Sequence, residues 1–146
     1  MSIVSNNDVE LSVENAIPVL AVADLPASSH FYEQILGFKV DWQTPTVMQV
    51  SRDAGRIMLQ KALQRLPGTV WIGLGENYFA QLWNRLRQVP DLTIVERPTN
   101  QSYALEMKIK DLDGDLLWFG TDALRDVTFG QEVTENQLAQ SHAKIP

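Results

Sequence analysis

The sequence predicts an α+β fold of two β-α-β-β-β modules, and three observations carry the prediction. The apolar pattern runs strand, helix and three strands, then repeats in that order after a Pro67-Gly68 break. Residues 16 to 39 alone hold a β-branched strand, a capped helix entry, an amphipathic helix and a glycine stop that leads into another strand. Each half is too thin to bury both faces of its own sheet, so the halves must pack together. The 146 residues then form one domain, with module 1 over residues 15–62, module 2 over 69–121 and a polar tail over 122–146.

The elements follow in order. Val9, Leu11 and Val13 alternate weakly, which fits an arm or an edge strand. Asn15 to Val22 is apolar and β-branched, a strand expected to be buried on both faces. Asp24 caps the following helix by accepting from its free amides, and Pro26 suits a first turn that needs no amide hydrogen. Phe31 and Ile35 share one stripe, and Gly37 supplies the left-handed exit. Phe38–Trp42, Thr46–Ser51 and Arg56–Lys61 read as strands, with Asp53-Ala54-Gly55 as a turn.

In the second half, Thr69–Leu74 is a strand and Gly75-Glu76-Asn77 opens a helix. The apolar face of that helix is Phe79, Leu82, Trp83 and Leu86. Leu92–Glu96, Tyr103–Lys110 and Asp115–Gly120 are the remaining strands, the last two joined by the Asp111-Leu112-Asp113-Gly114 turn. The tail has only isolated apolar points at Phe129 and Val133; it reads as mobile or as laid across a partner subunit.

Composition narrows the function. The chain has no cysteine, so neither disulfides nor thiolate metal sites are available. The N-terminus lacks the basic start and apolar run of a signal peptide, and no stretch reaches the roughly 20 apolar residues of a membrane span. A cytoplasmic protein is expected, without membrane contact. The net charge of −6 opposes binding to nucleic acid, because Lys108 and Lys110 are flanked by Asp111, Asp113 and Asp115. Phosphate loops, dinucleotide fingerprints and a nucleophile elbow are all missing. His30 reads as a solvent-facing helix residue and His142 as part of the tail.

Ile17-Pro18-Val19-Leu20, Asp24-Leu25, Phe31-Tyr32 and Leu36-Gly37-Phe38 form an opening that resembles the first unit of the vicinal-oxygen-chelate superfamily. That superfamily includes glyoxalase I, extradiol dioxygenases and bleomycin-resistance proteins. The Asp111-Leu112-Asp113-Gly114 turn looks like its Asp-Pro-Asp-Gly turn, with leucine in place of proline. The resemblance covers residues 15 to 121. It implies that the two modules form curled half-barrel sheets with helices on the outer face, commonly completed across the two-fold axis of a homodimer.

Metal-dependent relatives carry ligands on the first and last strands of each module. Aligned motif to motif, those positions hold Ile17, Met58, Thr69 (Val70 if the register slips by one) and Trp118. Side chains without suitable lone pairs cannot hold a divalent ion, and one hydroxyl is not a site. The resemblance therefore implies no metal and no cofactor, and no catalytic residue of the family's usual kind.

Those same positions mark the cavity face. By strand alternation Ile17, Val19, Arg56, Met58, Gln60, Thr69, Trp71 and Trp118 point into the cavity, with Trp42 at the rim. Leu20, Val22, Ile57, Leu59 and Ile72 have the opposite parity and belong beneath the helices. Glu106 and Lys108 share one face of their strand. Two indoles with an arginine and a glutamine suit a planar molecule, cationic or aromatic.

Three functions fit. The first is a metal-free binding protein similar to the bleomycin-resistance proteins, which sequester a cationic aromatic antibiotic in grooves between subunits. The second is an enzyme of the same superfamily, of lyase, isomerase or dioxygenase type, that works through a non-standard set such as Glu106, Lys108 and Arg56. In the third, a structural dimer, Trp71 and Trp118 simply fill the place of lost metal ligands.

Overall fold

The computed structural model describes residues 11–64 and 66–143. Among these residues eight strands and two helices follow the duplicated order: β1 Val19–Val22, α1 Leu25–His30, β2 Lys39–Gln43, β3 Val47–Arg52 and β4 Gly55–Lys61, then β5 Thr69–Gly73, α2 Glu76–Leu86, β6 Thr93–Asn100, β7 Leu105–Lys110 and β8 Leu116–Thr121. The segment beyond adds β9 Gln131–Glu132 and α3 Glu135–Ala143.

The helix entry and exit are local chemistry. Asp24 is extended, and its Oδ1 accepts from the Ala27 amide at 2.9 Å. Helix α1 widens into a π-helical turn over Phe31–Ile35, and the consecutive Phe31 and Tyr32 are both buried. Gly37 then reverses the chain at φ +74°, and the Phe38 amide closes onto the Tyr32 carbonyl.

Two mixed sheets result, and neither closes into a barrel. The first has the order β1-β4-β3-β2, with β1 parallel to β4; the second has the order β5-β8-β7-β6-β9, with β5 parallel to β8. The under-helix set falls where alternation predicts: Leu20, Val22, Ile57 and Leu59 are buried, and Ile72 packs at the edge of the same core. One apolar core joins the two halves, running from Phe31 and Leu36 to Phe79, Leu82 and Phe119. Polar links also cross between modules. The Tyr78 hydroxyl donates to the Leu36 carbonyl at 2.9 Å, and the Arg52 guanidinium lies 4.0 Å over the Tyr78 ring.

The aspartate-rich turn ties module 2 to module 1. Asp111 Oδ1 accepts from the amides of Asp113 and Asp115, and its Oδ2 accepts from the buried Tyr32 hydroxyl at 2.9 Å. Asp113 accepts from the Ala23 amide and Asp115 from the Gly68 amide. These carboxylates are spent on backbone amides and on the Tyr32 hydroxyl, as a turn reading requires.

Three expectations need correction. The first strand begins at Val19, so Ile17 precedes it, and its burial alternates because only one face meets the helices. Residues 11–18 have no regular structure, with Leu11 and Val13 exposed; Val9 lies outside the described residues. The segment after residue 121 packs on its own chain: β9 pairs with β6, α3 packs on α2, and Val133 and Leu138 join the core. His30 is exposed as expected, and the side chain of His142 lies outside the described residues. Among the described residues no helix is long and apolar enough to cross a membrane.

Candidate functional site

Each sheet has an open face turned away from the helices, and the anticipated site residues divide between the two. Val19 pairs with Met58 and Ala21 with Gln60 on the first sheet, beside Arg56. Trp42 stands on edge strand β2, 42% exposed. On this face Asp41 accepts from Gln49 at 2.9 Å and from Ser51 at 2.8 Å, and these bonds hold its carboxyl below the ordinary range. The resulting polar hollow of about 630 Å³ includes Lys39, Arg52 and Arg56.

The second sheet gathers the aromatic and acidic residues. Cross-strand pairing sets Glu96 beside Lys108, Lys108 beside Trp118 and Trp118 beside Trp71, so four strands contribute to one row. Thr69 lies next along β5, paired with Leu116. The Trp71 and Trp118 rings meet edge to face with centroids 5.2 Å apart, and Tyr103 meets Trp118 the same way at 6.4 Å. A cleft of about 420 Å³ opens beside Trp71, between Gly73, Tyr103 and Gly120.

Charge is concentrated beneath these rings. Glu106 is wholly buried; it accepts from the Tyr103 hydroxyl and faces Lys108 Nζ at 3.3 Å. Lys108 Nζ is also 3.8 Å from Glu96 Oε2 and 4.5 Å from the Trp118 ring centroid. Burial and the adjacent Glu106 carboxylate push Glu96 up to about 7. Burial also pushes Glu106 up, but its contacts with Glu96, Tyr103 and Lys108 outweigh this and hold it below the ordinary value. The Glu106 carboxylate in turn raises the Tyr103 hydroxyl to about 12. Glu96 Oε1 and Trp118 Nε1 are buried without a hydrogen-bond partner among the described residues.

The structure thus brings Trp71, Trp118, Glu106 and Lys108 together, with Thr69 at their border. Val19, Arg56, Met58, Gln60 and Trp42 belong to the other sheet. Sequence reasoning missed Glu96 and Tyr103. The signal for Glu96 was present in its strand parity opposite Lys108, but required the β6–β7 register.

At the four positions aligned with metal ligands stand an isoleucine, a methionine, a threonine and a tryptophan. This donor set does not fit a divalent ion. Among the described residues, no group of three or more His, Asp or Glu side chains is placed to hold one.

Comparison with known proteins adds the fold's relatives. Residues 16–119 match the family model described as Glyoxalase/Bleomycin resistance protein/Dioxygenase superfamily. An integron cassette protein from the mobile metagenome of a Halifax Harbour sewage outfall superposes with a TM-score of 0.65 at 20% identity, covering 75% of this chain and 99% of its own. A glyoxalase/bleomycin resistance protein/dioxygenase from Nocardioides gives 0.63 at 18% identity, covering 88% and 95%. The bleomycin-binding protein of Streptomyces verticillus, solved with copper(II)-bleomycin, gives 0.60 at 18% identity, covering 79% and 100%. No curated protein matches the chain.

Proposed function

The chain belongs to the glyoxalase/bleomycin resistance protein/dioxygenase superfamily, and from that premise we propose that it is a metal-free small-molecule binding protein. The observation that carries this reading is the exposed indole of Trp71, 47% accessible and set edge to face with Trp118 on the sheet face that holds buried Glu106 and half-buried Glu96. An aromatic wall over carboxylates favours a flat, cationic or aromatic ligand: each ring–cation contact contributes about 0.5–2 kcal/mol. The bleomycin-binding protein among the structural neighbours supports a ligand of that kind, and sequestration of such a compound, an antibiotic for instance, is the activity proposed.

In this reading a homodimer completes the site. Val19, Trp42 and Trp71 are large apolar groups left exposed on open faces, and strands β1, β2 and β5 are sheet edges without a further strand among the described residues. A second copy would cover them and add the Arg56, Met58 and Gln60 face of one protomer to the Trp71 face of its partner. The cytoplasm is the compartment proposed.

Tryptophan emission and melting temperature, followed across a panel of aromatic cations, neutral aromatics and divalent metals, test the reading. A compound that shifts both and is recovered unchanged supports binding, since selective binding to the native state stabilises it. Stabilisation by metals alone overturns it. One observation favours a second reading, metal-independent proton transfer. Glu96 and Glu106 are neighbours with proton affinities pushed apart, as an acid–base pair needs. Conversion of a bound compound would select that reading.

A further inference from the structure

We propose that the open face of the second sheet contains an alkylammonium subsite, and that the chain's own Lys108 ammonium occupies it until a ligand amine takes its place. The proposal rests on small-molecule binding at this face and names the group that the face recognises.

Lys108 Nζ shows what the subsite accepts. It lies 3.3 Å from Glu106 Oε2, 3.8 Å from Glu96 Oε2 and 4.5 Å from the centre of the Trp118 ring. An ammonium held between carboxylates and over an indole has the two contacts that recognise alkylammonium ions. The carboxylate at the base is built in: the Glu106 side chain is 1% exposed and anchored by the Tyr103 hydroxyl.

The subsite is also under-filled. With both glutamates ionised the cluster holds two negative charges against one positive. Glu96 Oε1 still has no donor among the described residues. Arg97, the next residue along β6, does not compete, because its guanidinium lies over Trp83 and pairs with Glu132. Lysine differs from a fixed donor in its flexible four-carbon stem, and the Lys108 side chain keeps 23% exposure through which to swing out. Trp71 extends the aromatic floor outward from Trp118. The occupant these groups select is a primary amine on a short arm from a flat ring, an arylalkylamine.

The test uses the full chain at pH 8 and three probes of one shape: benzylammonium, benzyl alcohol and benzoate. Affinity is read from tryptophan emission for the wild type, Lys108→Met and Lys108→Gln. Benzylammonium is expected to bind the wild type at least tenfold more tightly than benzyl alcohol, with benzoate weakest. Removing the internal occupant is expected to tighten benzylammonium at least a further tenfold in either variant and to leave benzyl alcohol within twofold. Equal binding of benzylammonium and benzyl alcohol overturns the subsite while leaving binding at this face intact. So does a Lys108 variant that holds benzylammonium no more tightly than the wild type. Should a variant not fold, the other replaces it, and the wild-type comparison between charged and neutral probes decides alone. No response to any probe also overturns the subsite; the wider ligand panel judges the underlying reading separately.

Discussion

The indole of Trp71 fills the space over Gly120: a β-carbon built at Gly120 would fall 1.9 Å from its Cη2 atom. The glycine pairs with Gly73 on β5, so the ring leans diagonally over the one position of β8 that has no side chain. Gly120→Ala is expected to lift Trp71 off the sheet and to cost about 1–3 kcal/mol, the usual range for overpacking. Urea unfolding measures the cost, and a red shift in tryptophan emission reports the displaced ring. Trp71→Ala should relieve the clash, so that Gly120→Ala costs under about 0.5 kcal/mol in that background. An unrelieved cost would mean that the alanine acts through the backbone instead.

Glu96 makes stability depend on pH in a direction unusual for a carboxylate. Its value in the folded protein is about 7, against an ordinary 4.5. The folded state therefore holds the proton more tightly than the unfolded state. Its favourable contribution is complete below about pH 4.5 and is lost as pH rises through 7. Glu106, Lys108 and Tyr103 face it from β7 and the preceding loop. Glu96→Gln cannot ionise, so its stability relative to the wild type should increase by about 1–2 kcal/mol between pH 5 and pH 8, after allowance for solvent screening. Urea titrations at the two pH values check this. A constant difference would place the titrating proton on another group.

Tyr32 is the buried strut between the modules, and its hydroxyl donates to Asp111 Oδ2. Burial raises Asp111 to about 6 although the amides of Asp113 and Asp115 and this hydroxyl favour its charged form. Tyr32→Phe removes one of those donors. The expected cost is about 1.5–3 kcal/mol at pH 8, where Asp111 is ionised, and less at pH 4, where it is protonated. Because the folded value lies above the unfolded one, Asp111 stabilises the fold at low pH and ceases to as pH passes 6. The variant should steepen that loss. Denaturation curves at pH 4, 6 and 8 measure it, and a pH-independent cost would assign the loss to packing alone.

What was legible in the sequence follows the range of the forces involved. The cap at Asp24, the exit at Gly37 and the turn at Asp111 depend on neighbours a few residues away, and each forms as expected. Strand parity was legible too, because Leu20, Val22, Ile57 and Leu59 can be buried only with Val19, Met58 and Gln60 on the other face. Two features were not. The strand read as Leu92–Glu96 continues to Asn100 through irregular register although it contains Pro98, and Thr99 then faces Glu106. The segment after residue 121 has apolar residues too sparse to show a period. What holds it is a polar anchor from another strand.

That anchor is Asn100, and it supplies the last prediction. Its side chain is fully buried at the end of β6; Nδ2 donates to the carbonyls of Leu124 and Val127 at 3.0 and 2.9 Å, while Oδ1 accepts from the Leu124 amide at 2.8 Å. Its main-chain carbonyl takes the Gly130 amide. One residue thus satisfies four backbone groups of a segment with few apolar contacts of its own. Asn100→Ala leaves three of them without partners and is expected to cost about 2–4 kcal/mol. The loss should be local first: β9 and α3 detach, the Arg87–Glu135 ion pair opens, and Val133 and Leu138 leave the core. Limited proteolysis should then cut the variant within residues 122–143 under conditions that leave the wild type whole, while residues 19–121 remain uncut. Cleavage spread evenly along the chain would show instead that the segment and the two modules unfold as a single unit.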